Sequence, residues 1–218
     1  MKRKRIIHKA ENKKNVFEEI IKNRMLEKGT LKYTLVYVPE GNKPDTYEAD
    51  FFDKTDVIEE DEDSLHLINE YTRIVRDINS HIIVRKFISD SSDREPMLKD
   101  FADGKIDVLT SMKCLDEGVD VPRSELAIFC SSTGNPRQFI QRRGRVLRTH
   151  KDKHVSVIHD LVVVPDNCFS EESFELERNL VASELKRVRD FAMLSENLFD
   201  TDKELHDVLN HYNLSIFN

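Results

Sequence analysis

A chain of 218 residues with 39% hydrophobic side chains is long enough to close its own core, as one large domain or as a domain with an appendage. Its formal net charge of −7 argues against a general nucleic-acid binder held by bulk electrostatics. No apolar run approaches the roughly 20 residues a bilayer-spanning helix requires. The basic run at Lys2 to Arg5 is not followed by a signal-type apolar stretch, so the reading is a soluble cytoplasmic protein.

The average charge hides a pattern. Met1 to Lys32 holds 11 Lys/Arg against 4 Asp/Glu, Glu40 to Glu70 holds 12 acids against 2 bases, and Arg137 to Lys153 returns to 7 bases against 1 acid. The last patch lies between apolar segments, so folded structure is expected to display it. Cys114, Cys130 and Cys168 show no CxxC spacing and read as buried thiols. His150, His154 and His159 lack ligand partners at zinc spacing, so no metal site is expected.

In chain order, Phe17, Ile20, Ile21 and Met25 have helical spacing closed by Gly29. "YTLVYVPEG" at 33–41 reads as a buried strand ending in a Pro/Gly turn, and Asp45 to Asp63 as an acidic surface excursion. Leu65, Ile68, Thr72, Val75 and Ile78 share a helical face, and the β-branched "HIIVRKF" at 81–87 reads as a strand. Ser92 to Glu95 has capping-box spacing, with Pro96 in the first turn and Gly104 at the helix end.

"IDVLTS" at 106–111, a short helical segment ending at Gly118, "ELAIFC" at 125–130 and a helix begun by Asn135-Pro136 follow. "HVSVIHDLVVV" at 154–164 suggests another strand pair. Phe174, Val181, Leu185, Val188 and Ala192 mark an amphipathic helix near 171–197, with a second from 201 to 212. Strands alternating with helices imply crossover connections, hence an α/β fold with a mainly parallel sheet flanked by helices.

Within "QRRGRVLR" at 141–148, Gln141, Arg145 and Arg148 fall at i, i+4 and i+7 and share one helix face; Phe139 and Val146 share another. Gly144 removes side-chain bulk beside them. Guanidinium forks onto phosphate oxygens and suits charge that moves during bond cleavage. The bland alternative is a solvated basic helix with Arg142 and Arg143 merely exposed. "VLTSMKCLDEGVDVP" at 108–122 follows a buried strand, where a doubly wound sheet places its ligand loops, and puts Asp120 just past Gly118. Taken singly, that is equally a helix C-cap followed by a polar loop residue.

"VLTSMKCLDEGVDVP" followed by "NPRQFIQRRGRVLR" resembles motifs V and VI of superfamily 2 helicases and translocases, closest to the branch of XPB-like repair helicases and restriction-enzyme motors. The resemblance spans roughly residues 15 to 165, and "SSDREPMLKDFADGKIDVLTS" at 91–111 falls in order between. It implies the second RecA-like lobe, with 1–14 as an interlobe linker and 166–218 as a helical extension packed on the lobe; "ELKRVRDFAMLSEN" at 184–197 resembles the helix trailing such lobes. Arg145 and Arg148 would be arginine fingers, and Gln141 would position the nucleotide or attacking water. Gly118, Asp120 and Gly144 would meet the nucleotide, while Arg94, Thr110, Ser111 and Arg137 would lie along the nucleic-acid backbone. Met112 stands where many relatives carry a hydroxyl residue, which shifts that contact toward Ser111.

These 218 residues contain no G-x-x-x-x-G-K-[ST] and no acidic box after a strand. The expectation is therefore half of a longer motor, in which an N-terminal RecA-like lobe contributes the phosphate loop and the carboxylates for ATP and Mg²⁺, acting on DNA in preference to RNA. The alternative is a stand-alone nucleic-acid-binding or scaffold module without ATPase chemistry.

Overall fold

The computed structural model describes residues 10, 12–39, 62–88, 93–112, 121, 123–130, 136–165 and 173–217. The short segment ending at Gly118 and most of the acidic excursion lie outside them. The chain divides into two compact units, Met1–Leu161 and Val162–Asn218.

The first unit is built on five short strands, β1 (Thr34–Tyr37), β2 (Val84–Phe87), β3 (Val108–Ser111), β4 (Leu126–Phe129) and β5 (Val157–Asp160), in the order β2-β3-β1-β4-β5. All four pairings are parallel. Parallel neighbours need crossovers, and those described are helical: α1 (Asn12–Lys28) precedes β1, α2 (Glu62–Ile78) leads to β2, α3 (Arg94–Ala102) to β3 and α4 (Pro136–Val146) to β5. β1, β3 and β4 are buried throughout, as sheet-centre strands covered on both faces must be, whereas the edge strands β2 and β5 alternate with exposed residues.

Alternation along each strand sorts its side chains between the two faces. Val36, Val84, Val108, Leu126 and Ile128 meet Phe17 and Ile21 of α1 and Ile68, Tyr71 and Val75 of α2 in one apolar cluster. Phe17 and Tyr71 touch edge to face at 5.0 Å, joining the two helices. The opposite face receives α3 and α4: Phe101 of α3 meets Tyr33, and Arg142 of α4 lies over Tyr37. Gly29 and Gly104 have φ of +67° and +73°, the left-handed conformation in which the sequence placed helix stops.

One local expectation lies outside the described residues and one is corrected. Asp93, the residue before α3, makes no side-chain capping bond, and Ser92, on which the capping box turns, lies outside the described residues. Residues 154–164 contain one strand, not two. β5 pairs with β4, Leu161 N–H extends that ladder to Phe129 C=O at 3.0 Å, and no second partner strand lies beyond this edge among the described residues.

The second unit holds α5 (Phe174–Ala192), α6 (Leu198–Glu204) and α7 (His206–Tyr212). Val181, Leu185 and Val188 of α5 close a core with Leu209, Tyr212 and Ile216. The single helix expected over 201–212 is two, because Leu205 leaves helical geometry at φ −95°, ψ 0°. Tyr212 donates its phenol to Glu177 at 2.9 Å, and burial together with that bond pushes its pKa up to about 12.

Candidate functional site

α4 begins at Pro136, whose fixed φ and missing N–H suit the first helical position. Its buried side is set by Arg142 and Val146, one turn apart. Arg142 is 1% exposed, with its guanidinium 5.3 Å over the Tyr37 ring, and that ring stacks flat on Phe129 at 4.7 Å. The reading of Arg142 as a merely exposed base is therefore corrected. A planar, weakly hydrated guanidinium can enter a core where an aromatic face receives it. With Arg142 and Val146 inward, the preceding pair Gln141 and Arg145 sits about 100° round the helix. Gln141 is exposed and Arg145 half-buried.

Arg148 does not share that helix face. The helix ends at Val146, whose carbonyl accepts from both Lys153 Nζ at 2.8 Å and Ser156 Oγ at 2.9 Å, and the chain turns back through a His150–Lys153 bridge. Burial lowers the Lys153 pKa, against a smaller pull from Glu125, while a cation at the helix C-terminus is favoured by the macrodipole. Arg148 is thus an exposed side chain in the turn beyond α4. At Gly144 an added Cβ would meet nothing within 4 Å, so packing within the described residues does not require glycine there.

At the carboxyl end of the sheet the register aligns Phe87, Ser111, Tyr37, Phe129 and Asp160 in one row across the five strands. Ser111 is buried and its hydroxyl has no hydrogen-bond partner among the described residues. Arg94, at the start of α3, holds its guanidinium 4.9 Å over Phe87. Thr110 points to the other face, where its buried hydroxyl lies 2.8 Å from that of Thr72 on α2. The pairing of Thr110 with Ser111 as backbone contacts is corrected accordingly: strand alternation separates them, and Thr110 serves the helix–sheet contact. Met112 is buried as well. Gly118 and Asp120 lie outside the described residues, as does the side chain of Arg137; within the described row, Ser111 stands between Phe87, which lies under Arg94, and Tyr37, which lies under Arg142.

Lys13 is a residue the sequence reading left in the linker. It is buried near the start of α1 and donates from Nζ to the Cys130 carbonyl at 2.8 Å, while Cys130 N–H donates to Tyr37 C=O at 2.9 Å. Burial, then the neighbouring charges, pushes the Tyr71 phenol well above its ordinary range; burial likewise raises the adjacent Cys130 thiol, which Lys13 partly offsets. Both stay protonated at neutral pH. Lys13 stands one helical turn before Phe17 and Ile21 stands one turn after it, so the periodicity that found the apolar pair points to Lys13, but a lysine does not register as core. Its bond fastens the entry of α1 to the strand end from which the chain continues toward α4.

Among the described residues no group of His, Cys, Asp or Glu could hold a metal ion, and no helix is long and apolar enough to cross a membrane.

Residues 51–150 match the family described as the helicase conserved C-terminal domain. Over 77 residues the chain is 44% identical to the DNA 3'-5' translocase XPB2 of Sulfurisphaera tokodaii, a match covering 35% of this chain and 17% of that protein. Over 66 residues it is 36% identical to Dicer-like protein 2 of Pyricularia oryzae, covering 30% of this chain and 4% of that one. The chain therefore spans only a small part of these relatives. Among solved structures, a fragment of a putative HsdR subunit of a type I restriction enzyme from Vibrio vulnificus superposes with a TM-score of 0.52 at 17% identity, over 71% of this chain and 28% of that one. Domain 2 of the DEAD-box helicase Mss116p bound to an RNA duplex superposes at 0.50 with 14% identity, over 94% and 76%. At such identities the likeness bears on the fold, which it shares with the parallel sheet described above. The family match over residues 51–150, the sequence relatives and this fold agree in their likeness to the C-terminal lobe of a superfamily 2 helicase.

Proposed function

We propose that this chain supplies the C-terminal motor lobe of an ATP-dependent DNA translocase or helicase and presents α4 to a nucleotide held chiefly by an N-terminal RecA-like lobe. The observation that carries the reading is the seating of α4. The buried Arg142–Val146 pair fixes the helix rotation, which leaves Gln141 and Arg145 together on the adjoining side with Gly144 open beside them.

The donor set fits a phosphate: Arg145 offers a forked, permanently charged donor and Gln141 an amide one turn away. The triphosphate, with its Mg²⁺, supplies the bond whose cleavage drives the motor. Arg145 takes the role of neutralising charge as it builds on the departing phosphoryl group, and Gln141 of orienting water. Arg148, in the turn beyond α4, reaches the same group when the lobes close. Ser111, Arg94 and Arg137 line the nucleic-acid backbone; the resemblance to a DNA translocase supports DNA as the polymer.

A stand-alone basic binding face treats Arg142, Arg143, Arg145 and Arg148 as equivalent, and the burial of Arg142 removes one of the four from any such surface. The test is DNA-stimulated ATP hydrolysis by the two-lobed assembly. Arg145→Ala is expected to lower turnover by about 10³-fold with nucleotide affinity within a few-fold of the parent. Equal losses of nucleotide binding and turnover, or unchanged turnover, would remove the arginine-finger assignment.

A further inference from the structure

The second unit carries an apolar tip that its own core does not use. Where α5 passes into α6, Met193, Leu194 and Phe199 are 53%, 70% and 80% exposed, three large apolar side chains within seven residues. The turn that displays them is well hydrogen-bonded. Leu194 N–H donates to Phe191 C=O at 3.2 Å, Ser195 N–H and Oγ both donate to Ala192 C=O at 3.0 and 2.8 Å, and Asp200 N–H donates to Asn197 C=O at 3.1 Å. Between these residues Leu198 packs inward on the unit's core, so Phe199 is directed away from it by the same helix turn. Leu176, the strongly exposed leucine of α5, sits in its first turn and is not part of this tip.

The surroundings are acidic. Asp190 to Asp207 contains six Asp/Glu against one Lys, and Glu196, Asp200 and Glu204 are exposed. Such a field repels nucleic acid and anionic lipid headgroups, so neither covers the apolar residues. An ordered apolar group in a predominantly acidic surround, with Arg189 and Lys203 as its exposed cations, has the anatomy of a protein interface, with apolar anchors at the centre and a charged rim that selects the partner.

We infer that this tip docks a protein segment that sets apolar side chains among lysines and arginines. Leucine or aromatic side chains of the partner cover Phe199 and Leu194, and its cations meet Glu196, Asp200 and Glu204. The inference stands on the second unit alone and does not depend on the motor assignment.

The test is fluorescence polarisation of a labelled amphipathic Leu/Lys peptide titrated with the whole 218-residue chain, in parallel with a Leu/Glu peptide and a Ser/Lys peptide of equal length. Binding of the Leu/Lys peptide is expected to weaken about tenfold or more in Leu194→Ser/Phe199→Ser and, separately, in Glu196→Lys/Glu204→Lys, with both control peptides at least about tenfold weaker. Matched melting curves of the variants, whose substituted side chains are exposed, exclude unfolding as the cause. Equal affinity of parent and apolar variant, or no binding, overturns the inference. So does concentration-dependent self-association, or adsorption to neutral phosphatidylcholine vesicles, that vanishes in Leu194→Ser/Phe199→Ser, since a second copy or a lipid surface would then be the occupant.

Discussion

Arg142 holds its charge where chains of this composition ordinarily place a leucine, against an aromatic ring in the core of the first unit. Truncation leaves a cavity and removes the ring contact together, so Arg142→Ala is expected to cost about 3 kcal/mol, read as a lowered urea midpoint, whereas Gln141→Ala on the exposed side stays within about 0.5 kcal/mol. Arg142→Met, which refills much of the volume, should recover part of the loss; equal costs for Ala and Met would mean that shape contributes nothing. The sequence clusters the four arginines at one helix and its end but cannot rank them. Charge patterning treats all four as surface residues, and the aromatic stack that admits Arg142 joins β1 to β4, about ninety residues apart in sequence. Thr110 was legible in part: alternation shows that it faces away from Ser111, but only the packed helix identifies Thr72 as the partner of its hydroxyl.

At the scale of elements, the apolar periods located α1, α2 and the buried strands because each period reports directly which side is dry. Ends were harder, since a helix terminus is decided by where its last carbonyls find donors, as the Lys153 and Ser156 bonds to Val146 show. The two left-handed glycines separate backbone cost from crowding. At Gly29 an added Cβ meets nothing within 4 Å, whereas at Gly104 it would lie 2.7 Å from the Tyr33 hydroxyl oxygen. Gly29→Ala is expected to cost about 1 kcal/mol from conformation alone and Gly104→Ala about 2 kcal/mol or more, with Tyr33→Phe relieving part of the second in a double-mutant cycle.

β5 adds a pH dependence. Partial desolvation lowers the His159 pKa from its ordinary 6.5, with Glu27 pulling it up and Arg24 pushing it down; the residue is exposed on the edge strand, so solvent screens the effect and its share of stability is small. The unfolded chain then binds the proton more readily. The contribution of neutral His159 is complete above 6.5 and is lost as pH falls from there through the lowered folded value. Stability measured in urea at about pH 7.5 and about pH 5.5 should therefore converge in His159→Asn relative to the parent. An unchanged difference would mean that His159 contributes nothing to the acid side.

Taken as a whole, the chain has two compact units, each with an apolar cluster among the described residues: in the first α1, α2 and the sheet are joined, in the second α5 to α7 and the residues that follow. Alternation of strands and helices made the first visible as an α/β sheet, and the spacing of Val181, Leu185 and Val188 marked a helix with one apolar face. The partners of that face were not legible, because Leu209, Tyr212 and Ile216 belong to short segments with too few turns to show a period of their own. Leu185→Ala removes a buried side chain from the second cluster and is expected to destabilise that unit by about 3 kcal/mol. Hydrogen exchange should then show faster exchange of the α5 and α7 amides while those of β1, β3 and β4 keep parental protection. Equal loss of protection in both units would show that they unfold as one cooperative body.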